Sequence, residues 1–94
     1  MNTLDLIKKL SIWEHDLKEY KKCFEINKDL ENSKEADKFL KTIDEFISYY
    51  QQNKDDDEKY RYALNYWVNF NENYLQLLKN LYEAYENKNH LKNS

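Results

Sequence analysis

The sequence predicts an all-α protein, a three-helix antiparallel bundle with a long C-terminal helix, and three observations carry that prediction. The 94 residues include no Gly and no Pro. Hairpin turns that need positive φ favour Gly or Asn, and Pro punctuates loops, so a sandwich or barrel is a poor fit. Three helix-start patterns recur along the chain, and each is followed by apolar residues at steps of three and four. The whole of 1–94 then reads as a single helical domain, close to the lower size at which one core is comfortably stable.

The first start is Asn2 with Asp5, an N-cap side chain followed three positions on by an acid. After it, Leu6, Leu10, Trp13, Leu17, Tyr20 and Phe24 alternate steps of four and three, a narrow heptad seam. Helix 1 is expected over about 3–30, ending in the polar stretch "NKDLENS", with Asn27 as a point where it can fray. The second start is Asn32 with Glu35. Helix 2, about 33–52, carries Ala36, Phe39, Leu40, Ile43, Phe46, Ile47 and Tyr50 before the polar run "QQNKDDD". On its wet side Asp37 and Lys41 are spaced to pair, for only about 0.3–0.5 kcal/mol.

The third start, Asp55 with Glu58, opens helix 3 over about 56–88. Its stretch "YRYALNYWVNFNENYLQLLKNLYEAY" has only Arg61, Glu72, Lys79 and Glu83 as charges, whereas charged residues are 35% of the whole chain. One row, Tyr60, Ala63, Trp67, Phe70, Tyr74, Leu77, Leu81 and Ala84, runs unbroken. A second row, Leu64, Val68, Leu75, Leu78, Tyr82 and Tyr85, is interrupted at Asn71. Together they span about 150° of the helix, against the roughly 100° a surface helix needs. The rest of the circumference is mostly amide: Asn65, Asn69, Asn73, Gln76, Asn80 and Asn87.

Lengths sharpen the reading. At 1.5 Å per residue the three helices measure roughly 40, 30 and 50 Å. Helix 2 would then fail to cover its neighbours, leaving Leu77, Leu78, Leu81, Tyr82 and Tyr85 exposed at the end of helix 3. The expected interface is Val68, Leu75, Leu78, Leu81, Tyr82 and Tyr85. Covering five such side chains contributes on the order of 5–10 kcal/mol before association costs are subtracted.

Chemistry is not legible in the residues. His15 and His90 sit at opposite ends of the chain and neither belongs to a Glu-x-x-His pair, which excludes a di-iron bundle. Cys23 reads as a small, half-buried hydrophobe beside the seam, and a single Cys forms no intramolecular disulfide. The run "NKDDDEK" lacks the alternating ligands and central Gly of a calcium loop, and without Gly there is no phosphate-cradling loop. No catalytic residue, metal ligand or cofactor site is therefore expected.

Net charge is −3 with both signs interspersed, which opposes a nucleic-acid partner and is too mild for a polyanion mimic. No run approaches the roughly 20 apolar residues of a membrane span, and "MNTLDLIKKL" lacks the order of a signal peptide. A cytoplasmic location is the expectation. Abundant Lys and Asn, with Arg only at position 61, fit AT-rich coding such as that of many phages and other mobile elements.

These features favour a small non-enzymatic protein-binding module, an inhibitor or an immunity, antitoxin or anti-defence type of protein that occupies a partner protein's surface. An assembly subunit that forms a homodimer or larger homo-oligomer through helix 3 is the alternative. A small-molecule or nucleotide site between subunits is the second alternative.

Overall fold

The computed structural model describes residues 2–52 and 57–92, and within them the chain forms three α-helices: α1 (Thr3–Ile26), α2 (Leu30–Gln52) and α3 (Glu58–Lys92). They make an elongated bundle of 52 × 20 × 19 Å. No strand occurs among the described residues. The all-α fold class expected from the missing Gly and Pro is the one observed.

Each helix begins where a side chain can accept from orphan amides. Asn2 caps α1, its Oδ1 accepting from the Asp5 amide at 2.8 Å. At α2 the cap is Asp29 instead of Asn32: its Oδ1 accepts from the Asn32 amide at 3.2 Å, and its Oδ2 from the Asn32 side chain at 2.8 Å. At α3 Asp57 accepts from the amides of Lys59 and Tyr60 at 3.0 and 3.3 Å. The expected cap Asp55 lies outside the described residues. Asp29 is favoured over Asn32 because a carboxylate is a charged acceptor facing the positive end of the helix dipole.

α1 does not continue to residue 30. It stops at Ile26 in a Schellman turn, with the Asp29 amide donating to Phe24 O at 2.8 Å and the Lys28 amide to Glu25 O at 3.1 Å. The turn needs a left-handed residue, and with no Gly in the chain Lys28 takes φ of 59°. A Cβ in that region costs about 1 kcal/mol relative to Gly. Three residues, 27–29, then reverse the chain, and α2 starts three positions earlier than the sequence pattern suggested.

The apolar seams bury as one core. Leu6, Leu10, Leu17 and Phe24 of α1, Ala36 and Ile43 of α2, and Leu64 and Val68 of α3 are almost completely enclosed. α1 packs closely against both neighbours, while the α2 and α3 backbones stand further apart. Aromatic rings fill that wider seam. Phe39 and Phe46 lie 5.7 and 5.6 Å from Trp67, Phe39 is 5.4 Å from Tyr74, and Phe46 is 6.0 Å from Tyr60. These are offset and edge-on geometries, the favourable ones for rings.

Ion pairs join the helices along their margins. Lys9 of α1 reaches Glu72 of α3 at 2.9 Å. Asp37 pairs with Lys41 on its own helix at 3.3 Å, as its spacing suggested, and also with Lys21 of α1 at 3.0 Å. Hydrogen bonds from Lys21 and Lys41 hold the Asp37 carboxyl below the usual carboxylate range. Such exposed pairs contribute little each; they fix register more than stability.

The expected overhang of α3 is smaller than lengths alone implied. α1 and α3 run in the same direction, Tyr20 pairing with Tyr82 at 4.8 Å and Phe24 with Tyr85 at 6.1 Å. At the far end the Tyr85 hydroxyl donates to Asp29 Oδ2 at 2.7 Å, tying α3 to the α1–α2 turn. α3 is therefore accompanied as far as Tyr85. Glu86, next along, still lies beside Cys23 of α1.

Candidate functional site

Two apolar rows share α3. At about 100° per residue, Leu64, Val68, Leu75, Leu78, Tyr82 and Tyr85 fall in one arc of about 100°. This is the row that faces the bundle. Val68, Leu75 and Leu78 are buried, and Leu81, Tyr82 and Tyr85 are partly buried against the core. These six residues were the interface expected from sequence. The structure places them against α1, α2 and the turn between them, so of the five side chains expected to overhang only Leu77 is exposed. The physical reason is the early start of α2 and the parallel run of α1, which together cover α3 to Tyr85.

The other row is open. Tyr62 is 75% exposed, Tyr66 61%, Phe70 71% and Leu77 61%. They lie in an arc of about 100° centred roughly 150° around the helix from the buried row. Asn69 and Asn73, both exposed, stand within the same arc. Tyr66 and Phe70, one turn apart, stack with centroids 5.8 Å apart and an interplanar angle of 15°. The shallow depression of about 360 Å³ lined by Tyr62, Asn65, Tyr66, Asn69 and Phe70 is a surface feature of this face.

Charge is sorted with the same sharpness. Arg61, Glu72, Lys79 and Glu83 all fall within about 40° of one another on one flank, the flank from which Glu72 reaches Lys9 of α1. The open row therefore carries no charged side chain between Tyr62 and Ala84. Aromatic and aliphatic side chains on a polar, uncharged surface are the composition of an interface core, where charge is depleted and Tyr and Phe are enriched.

Residue type distinguishes the two rows only in part, since the covered row ends in Tyr82 and Tyr85 and the open row holds Phe70 and Leu77. The buried row begins with four aliphatic residues, which have no polar atom to satisfy. The open row carries Tyr62 and Tyr66, whose hydroxyls stay in water. Tyrosines that turn inward find partners instead: Tyr60 donates to Phe46 O at 2.6 Å and Tyr85 to Asp29 at 2.7 Å. The unbroken spacing of the first row was no guide, because Ala63, Phe70 and Leu77 from it are exposed.

Other chemically distinctive side chains lie away from this row. Cys23 is buried, and that burial, with Glu86 nearby, pushes its thiol up to about 11, so it is protonated at neutral pH. His15 is exposed on α1. A groove of about 200 Å³ between α1 and α3 is lined by Trp13, Asp16, Tyr20, Glu72, Gln76 and Lys79 among others. Within it Glu72 is occupied by Lys9, and Tyr20 is pushed up to about 12, first by burial and then by Asp16 and Glu83. Among the described residues no group of three His, Cys, Asp or Glu side chains could hold a metal ion. No helix among them is long and apolar enough to cross a membrane. Every buried side-chain nitrogen or oxygen among the described residues has a hydrogen-bond partner.

Comparison with protein-family models, with curated proteins and with solved structures gives no match.

Proposed function

We propose that the protein is a non-enzymatic protein-binding module whose working surface is the uncharged aromatic row of α3. The observation that carries this reading is the joint exposure of Tyr62, Tyr66, Phe70 and Leu77 on one helix face without an intervening charge. Four large apolar side chains left in water are costly to keep soluble, and contiguous exposed patches of this kind mark sites of interaction. A rigid helix presents them at fixed spacing, so little side-chain and backbone freedom is lost on docking. The protein acts by occupying another protein's surface, the mode of inhibitors and of immunity or antitoxin proteins.

The test is capture from native-host lysate with the wild-type chain, Tyr66→Glu, Phe70→Glu and, as a control on exposed α2, Glu45→Lys. The reading expects a bound protein that both α3 variants lose and the α2 variant keeps, with helical circular dichroism unchanged in all four. Capture that ignores Tyr66 and Phe70 would remove α3 as the working surface.

A further inference from the structure

We infer that the open row of α3 docks a second copy of this chain. The inference rests on the protein-binding reading above and names an occupant for the same face.

Charge is the first argument. The chain carries a net −3, so bringing two copies together is opposed by like charge. In a two-fold contact the same patch meets itself, so a charge near the axis faces its own sign and one further out needs an opposite charge elsewhere on the same patch. A patch without charge is free of both demands. The four charges of α3 from 60 to 85 are gathered on the flank facing α1, and the face from Tyr62 to Ala84 is left without any. A partner of opposite charge would have no group here to recognise; an identical neutral face is complementary as it stands.

Hydrogen bonding points the same way. Asn69 and Asn73 stand within the row, and a carboxamide both donates and accepts. It therefore satisfies another carboxamide related to it by symmetry, which neither a carboxylate nor an ammonium can do. Tyrosine hydroxyls share this property.

Area is the third argument. Taking 150–250 Å² for an aromatic side chain, the exposed parts of Tyr62, Tyr66, Phe70, Tyr74 and Leu77 come to about 600 Å². A standard stable interface buries about 800 Å² per partner. The flanking amides bring the face to that size, whereas the groove between α1 and α3 is too small and too charged to do so. Phe70 lies at the middle of the row, halfway between Tyr62 and Leu77, and so stands nearest the two-fold axis.

Sedimentation equilibrium of the full chain, from about 1 to 500 µM so as to bracket affinities typical of modest interfaces, tests this. The wild type is expected to sediment at twice 11.7 kDa in the upper part of that range. Phe70→Glu and Phe70→Lys should each weaken the dimer at least a hundredfold, since each sets two like charges close together across the axis. Mixing the two variants should restore a dimer, because the charges then oppose. Phe70 is exposed, so unchanged helicity is expected of both variants, and unchanged Tm in dilute solution where self-association is minimal. A wild type that stays monomeric throughout overturns the inference; if Phe70→Glu still loses a captured host protein, the broader protein-binding reading survives that result. A dimer that forms equally well in Phe70→Glu, or a mixture that shows no rescue, also overturns the inference.

Discussion

The two rows of α3 are both rich in large apolar side chains, yet one is packed into the bundle and the other is exposed. Leu64 and Val68 are almost completely enclosed by the bundle, while Tyr62, Tyr66 and Phe70, on the same turns, face water. The difference lies in what stands opposite. The first row meets the seams of α1 and α2, and the second is covered by neither helix. A helix apolar over more than its share of circumference is not simply a well-anchored helix; its second face is available for another purpose.

The largest expected effect breaks the symmetry between the rows directly. Leu64→Ala removes a fully enclosed side chain and should destabilise by about 2–5 kcal/mol, as core truncations do. Phe70→Ala takes away a larger side chain and should change monomer stability by less than about 0.5 kcal/mol. Urea unfolding in dilute solution, where self-association is minimal, measures both. Equal costs would mean that Phe70 is covered in solution by this chain's own residues.

Much of the fold was legible in the sequence and the assignment of faces was not. The seam Leu6, Leu10, Leu17, Phe24 could be read because its heptad spacing allows only one buried side. α3 carries a covered row and an open one. The apolar spacing found the covered one, but Tyr62 and Tyr66 of the open row lay in neither run of that spacing, and Tyr60, Trp67 and Leu81 of the first run pack on the core. The expected interface, Val68, Leu75, Leu78, Leu81, Tyr82 and Tyr85, fell on the covered one. Lengths misled because α2 begins at Leu30, a start set by Asp29 and by a Schellman turn at Lys28 that no Gly announced. Residue type would have separated the rows only in part, since Tyr82 and Tyr85 are covered while Leu77 is exposed. The exposed site was therefore half visible: its excess of apolar surface was clear, its position was not.

The tyrosines sharpen the comparison next. Tyr60 faces inward, donates to Phe46 O, and is pushed up to about 12, chiefly by burial. Tyr20 is raised to about 12 by burial as well. An unfolded tyrosine ionises near 10. Between the two values the unfolded chain gives up these protons and the folded chain keeps them, so stability falls as pH rises from about 10 to about 12. Thermal melts should show that decline. Tyr60→Phe should cost about 1 kcal/mol at neutral pH through the lost hydrogen bond, and should shrink the alkaline slope. Tyr66→Phe, on the open row, should not carry that neutral-pH cost.

At the far end of the covered row Tyr85 sharpens the comparison from the acid side. Hydrogen bonds from Asn32 and then from Tyr85 hold the Asp29 carboxyl below its ordinary value. A depressed carboxylate contributes stability above the unfolded value of about 3.9, and loses it as pH falls through the folded value. Tyr85→Phe should therefore lower Tm by a few degrees at pH 7, with the difference from wild type closing as pH falls through the depressed Asp29 value. A gap that persists in acid would assign the loss to packing against Phe24 instead of to the Asp29 bond.

The smallest effect concerns the break in the covered row. Asn71 occupies the inward arc where Leu or Val stands one turn before and after, and its side chain donates to Trp67 O at 2.9 Å. That carbonyl already accepts from the helix, so the extra bond satisfies the Asn more than it supports the backbone. Asn71→Leu should gain about 0.5 kcal/mol from helix propensity and from added apolar contact. Urea midpoints resolve a change of that size when the slope is unchanged. A loss of stability would show that the space beside Trp67 is already full, and that the covered row is complete with its gap. The open row would then be the only face of α3 with surface still to be buried.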